Sequence, residues 1–329
     1  MDVKRSLFSA SQAKAENIAM LSQVAHMYYD LGMLQPEIAE RLFFSRSKVS
    51  RMLKRAEELG IVEIKVNRYL SRISRYERQL ESLFGLKQAI VMTNFEGTND
   101  DTVRDDLAEC AAAYISENIR GDCVFGITCS GTVRRVVHKL KKIHPCNLKV
   151  VQTIGSMLDE AVSNELLTFI NQTYDGEACF LNTPLYVNDL YVKESLLSDP
   201  GMMRTMQLMK HCNLLLSSIG KFDVSGDMPA WGGYMTAKHR EEMGYLGAVG
   251  SLCAQFFDIN GNLLDCDWNR KCITIPWDDI RAADQRVVVA SGKAKVYSIL
   301  GALRGKLVDV LITDAVTASR VIEEQESGA

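Results

Sequence analysis

The chain has 329 residues, a length that favours two domains over one. Hydrophobic residues make up 47% of it and charged residues 24%, which excludes the disordered and fibrous classes. No apolar stretch approaches the roughly 20 residues of a membrane-spanning helix, and no apolar segment of the kind found in secretion signals follows the first residues. The sequence therefore predicts a cytoplasmic protein without a membrane partner.

Cysteine spacing and charge distribution narrow the possibilities further. The nine cysteines form no Cys-x-x-Cys pair, which disfavours both a disulfide framework and a zinc site, so no metal is expected. The net charge of -3 is unevenly distributed. The first 80 residues carry 14 Lys and Arg against 9 Asp and Glu, and the remainder is acidic. Any site for nucleic acid is therefore expected in the N-terminal part.

Three amphipathic helices are predicted near the N-terminus. The first spans residues 16–31, and Gly32 follows it as a stop signal. The second begins near Pro36, a favoured first-turn residue, and Ser45 is typical of the N-cap of the third. The buried face of the third helix is predicted to consist of Val49, Met52, Leu53, Ala56 and Leu59.

A strand is predicted directly after the third helix. Apolar and charged residues alternate over residues 62–66, and we interpret this strand as the wing of a small helical domain.

The second and third helices together are typical of a helix-turn-helix, whose second helix enters the major groove. Arginine suits guanine edges, while serine and lysine suit phosphate oxygens. An alternative is a three-helix bundle whose basic face only confers solubility. The predicted DNA-binding residues are Ser45, Arg46, Ser47, Lys48, Ser50, Arg51 and Lys54.

A linker follows the predicted DNA-binding domain. Tyr69, Ile73, Tyr76, Leu80 and Leu83 have heptad spacing, which predicts a dimerisation helix or, alternatively, a helix that packs on its own domain. The predicted domains are a helix-turn-helix domain at 1–66, a linker and dimerisation helix at 67–86, and an effector-binding and oligomerisation domain at 87–329.

From residue 88 onward, apolar strands alternate with helical stretches, which predicts an α/β domain with a largely parallel, Rossmann-like sheet. The predicted strands are 88–92, 123–128, 148–154, 178–182, 214–220, 248–258, 287–291 and 307–313.

Three loops rich in small and hydroxyl residues follow these strands. Ligands of such sheets bind beyond the carboxyl ends of the strands, where helix N-termini favour anions. An alternative is that each loop is an ordinary tight turn. Neither a Walker loop nor a Rossmann glycine fingerprint is present. The loop residues predicted to bind an anionic effector are Thr128, Cys129, Ser130, Gly131, Thr132, Gly155, Ser156, Ser291, Gly292, Lys293 and Lys295.

The segments at 36–42, 45–56 and 60–62 resemble the helix-turn-helix of the SorC family of bacterial sugar-responsive transcription regulators. Those at 183–187, 198–201, 218–220, 247–250, 256–261 and 295–314 resemble its effector domain, which places Gly220 among the effector residues. The resemblance implies a fold like that of sugar-phosphate isomerases and a phosphorylated sugar effector. It also implies homodimers or homotetramers on double-stranded operator DNA. Phe43 stands in the turn where relatives tend to carry glycine, and Cys129-Ser130 replace their usual tryptophan and glycine.

These observations predict a transcriptional regulator with no cofactor and no catalytic residues. Residues 151–155 contain no lysine that would capture a sugar aldehyde, so noncovalent binding is expected. One alternative is a sugar-phosphate isomerase- or deaminase-like enzyme with an accessory DNA-binding head, in which Cys129 or Ser130 is the nucleophile and His138 or His144 the base. Another is a protein-interaction module that uses the heptad helix without DNA.

Overall fold

The computed structural model describes residues 18–62, 72–156, 160–224 and 233–328. It divides the chain into two compact units, Met1–Tyr69 and Leu70–Ala329. Among the described residues, no helix combines the length and the apolar character needed to cross a bilayer.

The first unit contains three helices around a small apolar core. Val24, Ile38, Val49 and Leu53 are buried together in this core. Leu59, predicted to be buried, is 47% exposed because it lies at the C-cap, beyond the last helical turn. The predicted wing falls mostly outside the described residues. The helices are α1 (residues 18–30, the last turn His26–Asp30 being π-helical), α2 (Gln35–Arg41) and α3 (Arg46–Glu58).

A tight turn joins α2 to α3. Phe43 adopts a left-handed conformation with φ of 55° and is 96% exposed, and the N–H of Phe44 donates to the carbonyl of Ala39. Glycine is the residue that adopts this conformation without strain. The Ser45 side chain then accepts from the N–H of Lys48, 3.2 Å away, and begins α3.

The second unit is built on a parallel seven-stranded sheet, which confirms the predicted α/β class. The strand order is β1-β10-β9-β5-β2-β3-β4. All four residues of β5 and all five of β10 are buried, so helices cover both faces of the sheet. The strands are β1 (Gln88–Met92), β2 (Gly121–Ile127), β3 (Cys146–Gln152), β4 (Glu177–Cys179), β5 (Leu214–Ser217), β9 (Gln285–Val289) and β10 (Val310–Asp314).

Two of the predicted strands each correspond to two separate strands in the structure. The predicted strand at 214–220 divides into β5 of the main sheet and β6 (Ile219–Lys221). The one at 248–258 is a hairpin of β7 (Gly250–Leu252) and β8 (Gln255–Phe257). Strands β6, β7 and β8 form a separate antiparallel sheet in that order.

The helices of the second unit connect and cover these strands. They are α4 (Ser74–Phe84), α5 (Asp100–Asn118), α6 (Gly131–Val137), α7 (Glu160–Tyr174), α8 (Leu190–Leu197), α9 (Pro200–Met209), α10 (Ala237–Tyr245), α11 (Asp267–Lys271), α12 (Trp277–Ala282), α13 (Val296–Arg304, preceded by the 3-10 turn Lys293–Lys295) and α14 (Ala315–Ser327).

The helix predicted as a linker lies within this second unit. Helix α4 contacts β1 and α14, and Leu80 is fully buried in the core while Leu83 is 43% exposed. The Glu77 carboxylate accepts from the N–H of Val91, and that of Glu81 from the N–H of Ala89, at 3.0 and 2.9 Å. These bonds satisfy amides of the edge strand β1. Tyr69, the first residue of the heptad pattern, is outside the described residues.

Candidate functional site

The topology of the main sheet indicates one position for a ligand, at the carboxyl ends of two neighbouring central strands. Strands β2 and β5 are neighbours, and the chain continues from β2 to β3 on one side and from β5 to β9 on the other. This reversal of direction is a topological switch point, where open α/β sheets form a crevice beyond the strand ends. The segments that follow β2, β5 and β9 meet there.

A cavity of about 510 Å³ occupies this crevice. Eight of the twelve predicted effector residues line it: Thr128, Cys129, Ser130, Gly131, Thr132, Gly220, Ser291 and Lys295. Sequence reasoning missed several further polar lining residues, namely Arg104, Arg135, Ser217, Ser218, Lys221 and Ser251.

The loop after β2 presents hydroxyl groups and main-chain amides at the cavity. The Ser130 hydroxyl accepts from the N–H of Val133 at 3.2 Å and lies 3.0 Å from the Ser218 hydroxyl. Ser130 is thus the N-cap of α6, and it also links the end of β2 to the end of β5. Amides in the first turn of a helix have no intrahelical acceptor, and they suit an anion or a ligand oxygen.

Lys295 supplies the most distinctive charge at the site. Burial and the nearby Arg104 guanidinium lower the pKa of the Lys295 ammonium to about 8. Within the described part of the chain, no carboxylate lies at ion-pair distance from Lys295. An ammonium that is desolvated without a counter-ion is unfavourable, and an anionic ligand would remove that cost.

Three other cations line the cavity, and each already has an acidic partner. Arg135 pairs with Asp101 and Asp105 at 2.8 and 2.7 Å. Arg104 lies 3.7 Å from Asp101, and Lys221 lies 4.0 Å from Asp223. These carboxylates are not among the described residues that line the cavity. The wall that faces a ligand is therefore cationic and rich in hydroxyl groups.

Four predicted effector residues are not brought to the cavity. The Gly155 N–H donates to the carbonyl of Ile273, and that of Ser156 to the carbonyl of Thr183, at 2.9 and 2.8 Å. A Cβ on Gly155 would lie 2.5 Å from the Pro184 carbonyl oxygen, so this glycine permits close packing of two chain segments. Gly292 does not line the cavity, and Lys293 lines a separate one of about 720 Å³.

Four of the six missed residues lie on helices or strands that carry no loop signature, namely Arg104, Arg135, Lys221 and Ser251. Arg104 projects from α5 and Arg135 from α6, while Ser251 lies on the hairpin that sequence reasoning treated as a single strand. Ser217 ends β5 and Ser218 follows it, at a position equivalent to the predicted loops. The pair of hydroxyls after an apolar strand is the signal by which these two residues were identifiable.

The two histidines considered as catalytic bases do not reach the cavity, whereas Cys129 and Ser130, considered as nucleophiles, line it. Nε2 of His138 lies 3.2 Å from Glu165, and that of His144 lies 3.0 Å from Glu117. Neither histidine lines the cavity. Burial raises the pKa of the lining thiol of Cys253 to about 12, so it stays protonated at neutral pH. Among the described residues, no three His, Cys, Asp or Glu side chains cluster as metal ligands do.

The first unit presents a basic surface on α3. All seven predicted DNA-binding residues are exposed, whereas Val49, Leu53 and Ala56 are buried on the opposite face. The Lys48 ammonium lies 3.6 Å from the centre of the Phe44 ring, and the Arg51 Nε–H donates to the Ser47 carbonyl at 3.3 Å. These contacts hold the two cations near the N-terminal half of the helix.

Comparison with known proteins assigns the class of the second unit. The family model described as "Putative sugar-binding domain" matches residues 69–323. The matched range includes the whole parallel sheet and every residue of the cavity. The second unit is thus a sugar-binding domain of this family.

Relatives with this domain are named as transcriptional regulators. The chain is 29% identical over 308 residues to the deoxyribonucleoside regulator of Bacillus subtilis, covering 92% of this chain and 96% of the relative. It is 25% identical over 319 residues to the sorbitol operon regulator of Klebsiella pneumoniae, covering 94% and 99%. The crystal structure of full-length SorC from Klebsiella pneumoniae superposes with a TM-score of 0.70 at 24% identity, covering 93% of this chain and 98% of that one. The chain belongs to the SorC family of transcriptional regulators.

Proposed function

We propose that this protein binds operator DNA through α3 and that a phosphorylated sugar, held noncovalently in the cavity of the second unit, controls that binding. The observation that carries the proposal is Lys295, an ammonium without a carboxylate partner among the described residues, in a cavity at the switch point of the sheet. A phosphate group supplies the negative partner charge that the Lys295 ammonium lacks.

The rest of the cavity suits a sugar. Hydroxyl groups from Thr128, Ser130, Ser217, Ser218 and Ser251 line it. Each hydroxyl both donates and accepts hydrogen bonds, as sugar hydroxyls do. The relatives named for deoxyribonucleosides and sorbitol support a ligand of carbohydrate chemistry. The cavity volume of about 510 Å³ is in the range of small-molecule sites.

Noncovalent binding without cofactor, metal or catalysis is part of the proposal. We assign the amine of Lys295 to phosphate binding. Neither His138 nor His144 lines the cavity to activate Cys129 or Ser130, and the buried thiol of Cys253 is a poor nucleophile because burial raises its pKa. The ligand then acts by shifting an equilibrium between arrangements of the protein that differ in DNA affinity. We place this activity in the cytoplasm, where operator DNA is found.

We infer a DNA partner from the exposed surface of α3. Its exposed face carries Arg46, Lys48, Arg51 and Lys54, in a helix-turn-helix whose second helix reads the major groove. Such units bind paired half-sites, so we propose a homodimer or homotetramer.

A ligand panel tests the sugar-phosphate part. Full-length protein is heated with phosphorylated sugars and with the same sugars unphosphorylated, and only the phosphorylated members are expected to raise the unfolding midpoint. Lys295→Ala is expected to weaken ligand binding roughly 10- to 150-fold, the range for a lost hydrogen bond to a charged group. Its operator binding without ligand is expected to match that of the wild type.

Lys293→Ala is the matched control because Lys293 is exposed and does not line the cavity. It is expected to bind ligand like the wild type. Equal ligand affinity in Lys295→Ala and the wild type, or midpoint shifts from unphosphorylated sugars alone, would contradict the proposal.

A further inference from the structure

Gly292 lies at the centre of the loop that carries Lys295, and its main chain makes two hydrogen bonds there. Gly292 lies between the cavity-lining residues Ser291 and Lys295, with φ of 106° and ψ of 144°. Its carbonyl accepts from the N–H of Lys295 at 2.9 Å, and its own N–H donates to Oγ1 of Thr317 at 2.8 Å. The path of the loop therefore depends on an oxygen supplied by α14, outside the cavity.

The Thr317 hydroxyl has a fixed direction. The buried Asp314 carboxylate accepts from the Thr317 hydroxyl, from the Thr317 N–H at 3.0 Å, and from the Asn94 side-chain amide at 2.9 Å. A carboxylate only accepts, so the Thr317 hydroxyl donates its hydrogen to Asp314. Its lone pairs are then left for Gly292, and the neighbouring negative charge strengthens the oxygen as an acceptor.

Capping of α14 does not require this hydroxyl. Asp314 is the N-cap, and the cap bond uses the main-chain N–H of Thr317. The Thr317 side chain is 1% exposed and does not line the cavity. The Thr317 oxygen thus contacts the loop without lining the cavity.

We propose that Thr317 is a positioning residue for the ligand site, since its bond to the Gly292 N–H holds the loop in the course that brings Ser291 and Lys295 to the cavity. The inference rests on the proposed function for the nature of the ligand. The contact with Gly292 does not depend on that function. Without the Thr317 oxygen, the Gly292 N–H exchanges a fixed acceptor for water, and the loop loses the contact that holds its course.

The test compares three variants of the full chain with inorganic phosphate as the probe, by isothermal titration calorimetry. Thr317→Val keeps the shape of the side chain and removes the oxygen, and it is expected to raise the Kd for phosphate about fivefold, the usual net contribution of one hydrogen bond. Thr317→Ser restores the oxygen and is expected to stay within about twofold of the wild type. Asn94→Ala removes a different donor to Asp314, leaves the Gly292 contact intact, and is expected to retain wild-type affinity.

A second readout needs no ligand. The pH dependence of acetylation of Lys295, followed by peptide mass spectrometry, is expected to have its midpoint near 8 in the wild type. In Thr317→Val the amine becomes more solvated, so the midpoint is expected to rise toward about 10.4, the ordinary lysine pKa. Thr317→Ser is expected to keep the wild-type midpoint.

The outcomes separate the two proposals. An unchanged labelling midpoint in Thr317→Val, or a loss of affinity in Asn94→Ala equal to that in Thr317→Val, overturns the positioning role. A wild type that binds neither phosphate nor any phosphorylated sugar contradicts the proposed function instead, and the labelling profile still decides the role of Thr317.

Discussion

The charge of the cavity changes with pH chiefly through Lys295. Its ammonium loses part of its hydration and faces Arg104, so the pKa falls to about 8, below that of a lysine in an unfolded chain. The cost of holding this charge is fully present below pH 8. It disappears as the pH rises toward about 10.4, where the unfolded chain also loses the proton. A bound phosphate offsets the cost in the range where both groups are charged.

The affinity for a phosphorylated ligand is therefore expected to depend on pH. A phosphate monoester gains its second charge near pH 6, and Lys295 loses its charge near pH 8. Affinity is expected to be highest between these values and to fall by up to about tenfold per pH unit above the second, measured by calorimetry.

Lys295→Arg is the control for this dependence because its guanidinium stays charged throughout. Its affinity is expected to lack the decline above pH 8. A wild-type profile that stays level up to pH 9.5 would show that the ammonium does not meet the phosphate.

The sequence predicted the cavity residues that follow the end of a strand, but not those that other elements contribute to the cavity. Ser291 and Lys295 follow β9 directly, and their position beyond a buried strand was visible in the sequence. Arg104 comes from the second turn of α5, and its approach depends on how that helix packs. Gly155 had the same loop signature, yet packing against Pro184 uses it. Composition does not distinguish a glycine that admits a ligand from one that admits another chain segment.

Helix α3 shows how one element divides its surface between stability and binding. Val49, Leu53 and Ala56 are buried, while the basic residues of its first half are exposed. Removing an exposed cation is expected to cost little stability. The effect on DNA should be large if that cation reads a base or holds a phosphate.

Arg51→Ala is expected to weaken operator binding roughly 5- to 150-fold, the range for one lost base contact, and to leave the unfolding midpoint nearly unchanged. Arg55→Ala is the matched control because Arg55 lies one turn further along and pairs with Glu58 at 2.8 Å. Gel-shift titrations with an operator fragment measure both. Equal losses in the two variants, or a large drop in the midpoint of Arg51→Ala, would show that Arg51 has no specific role in binding.

The hairpin of β7 and β8 shows where element prediction fails. Its turn residues, Cys253 and Ala254, both have positive φ, at 48° and 64°, although neither is a glycine or asparagine. The turn is held from outside: Thr274 donates to the Cys253 carbonyl at 2.7 Å, and Trp268 donates to the Ala254 carbonyl at 2.9 Å. Hairpins are recognised in sequence by Asn-Gly or related pairs. A turn imposed by tertiary contacts carries no such signal, so residues 248–258 looked like one strand.

At the scale of the whole molecule, charge separates the two proposed binding activities. The first 80 residues carry an excess of Lys and Arg, whereas the remainder is acidic. Exposed cations on α3 face bulk solvent, and Lys295 is largely enclosed. Salt screens exposed charges strongly and enclosed charges much less. Under the proposed function, the acidic charge of the remainder disfavours contact with DNA outside the first unit.

The two affinities are therefore expected to respond differently to salt. A helix-turn-helix dimer that contacts 6 to 10 phosphates loses about a thousandfold or more in DNA affinity between 50 and 200 mM salt, because binding releases condensed counterions. The affinity for a phosphorylated sugar is expected to fall by less than about tenfold over the same range, since its site is partly shielded. Fluorescence anisotropy with labelled operator DNA and calorimetry with the sugar measure the two slopes on one full-length preparation. Equal slopes would mean that the sugar phosphate binds at an exposed basic surface, and a flat DNA slope would mean that α3 does not contact the phosphate backbone.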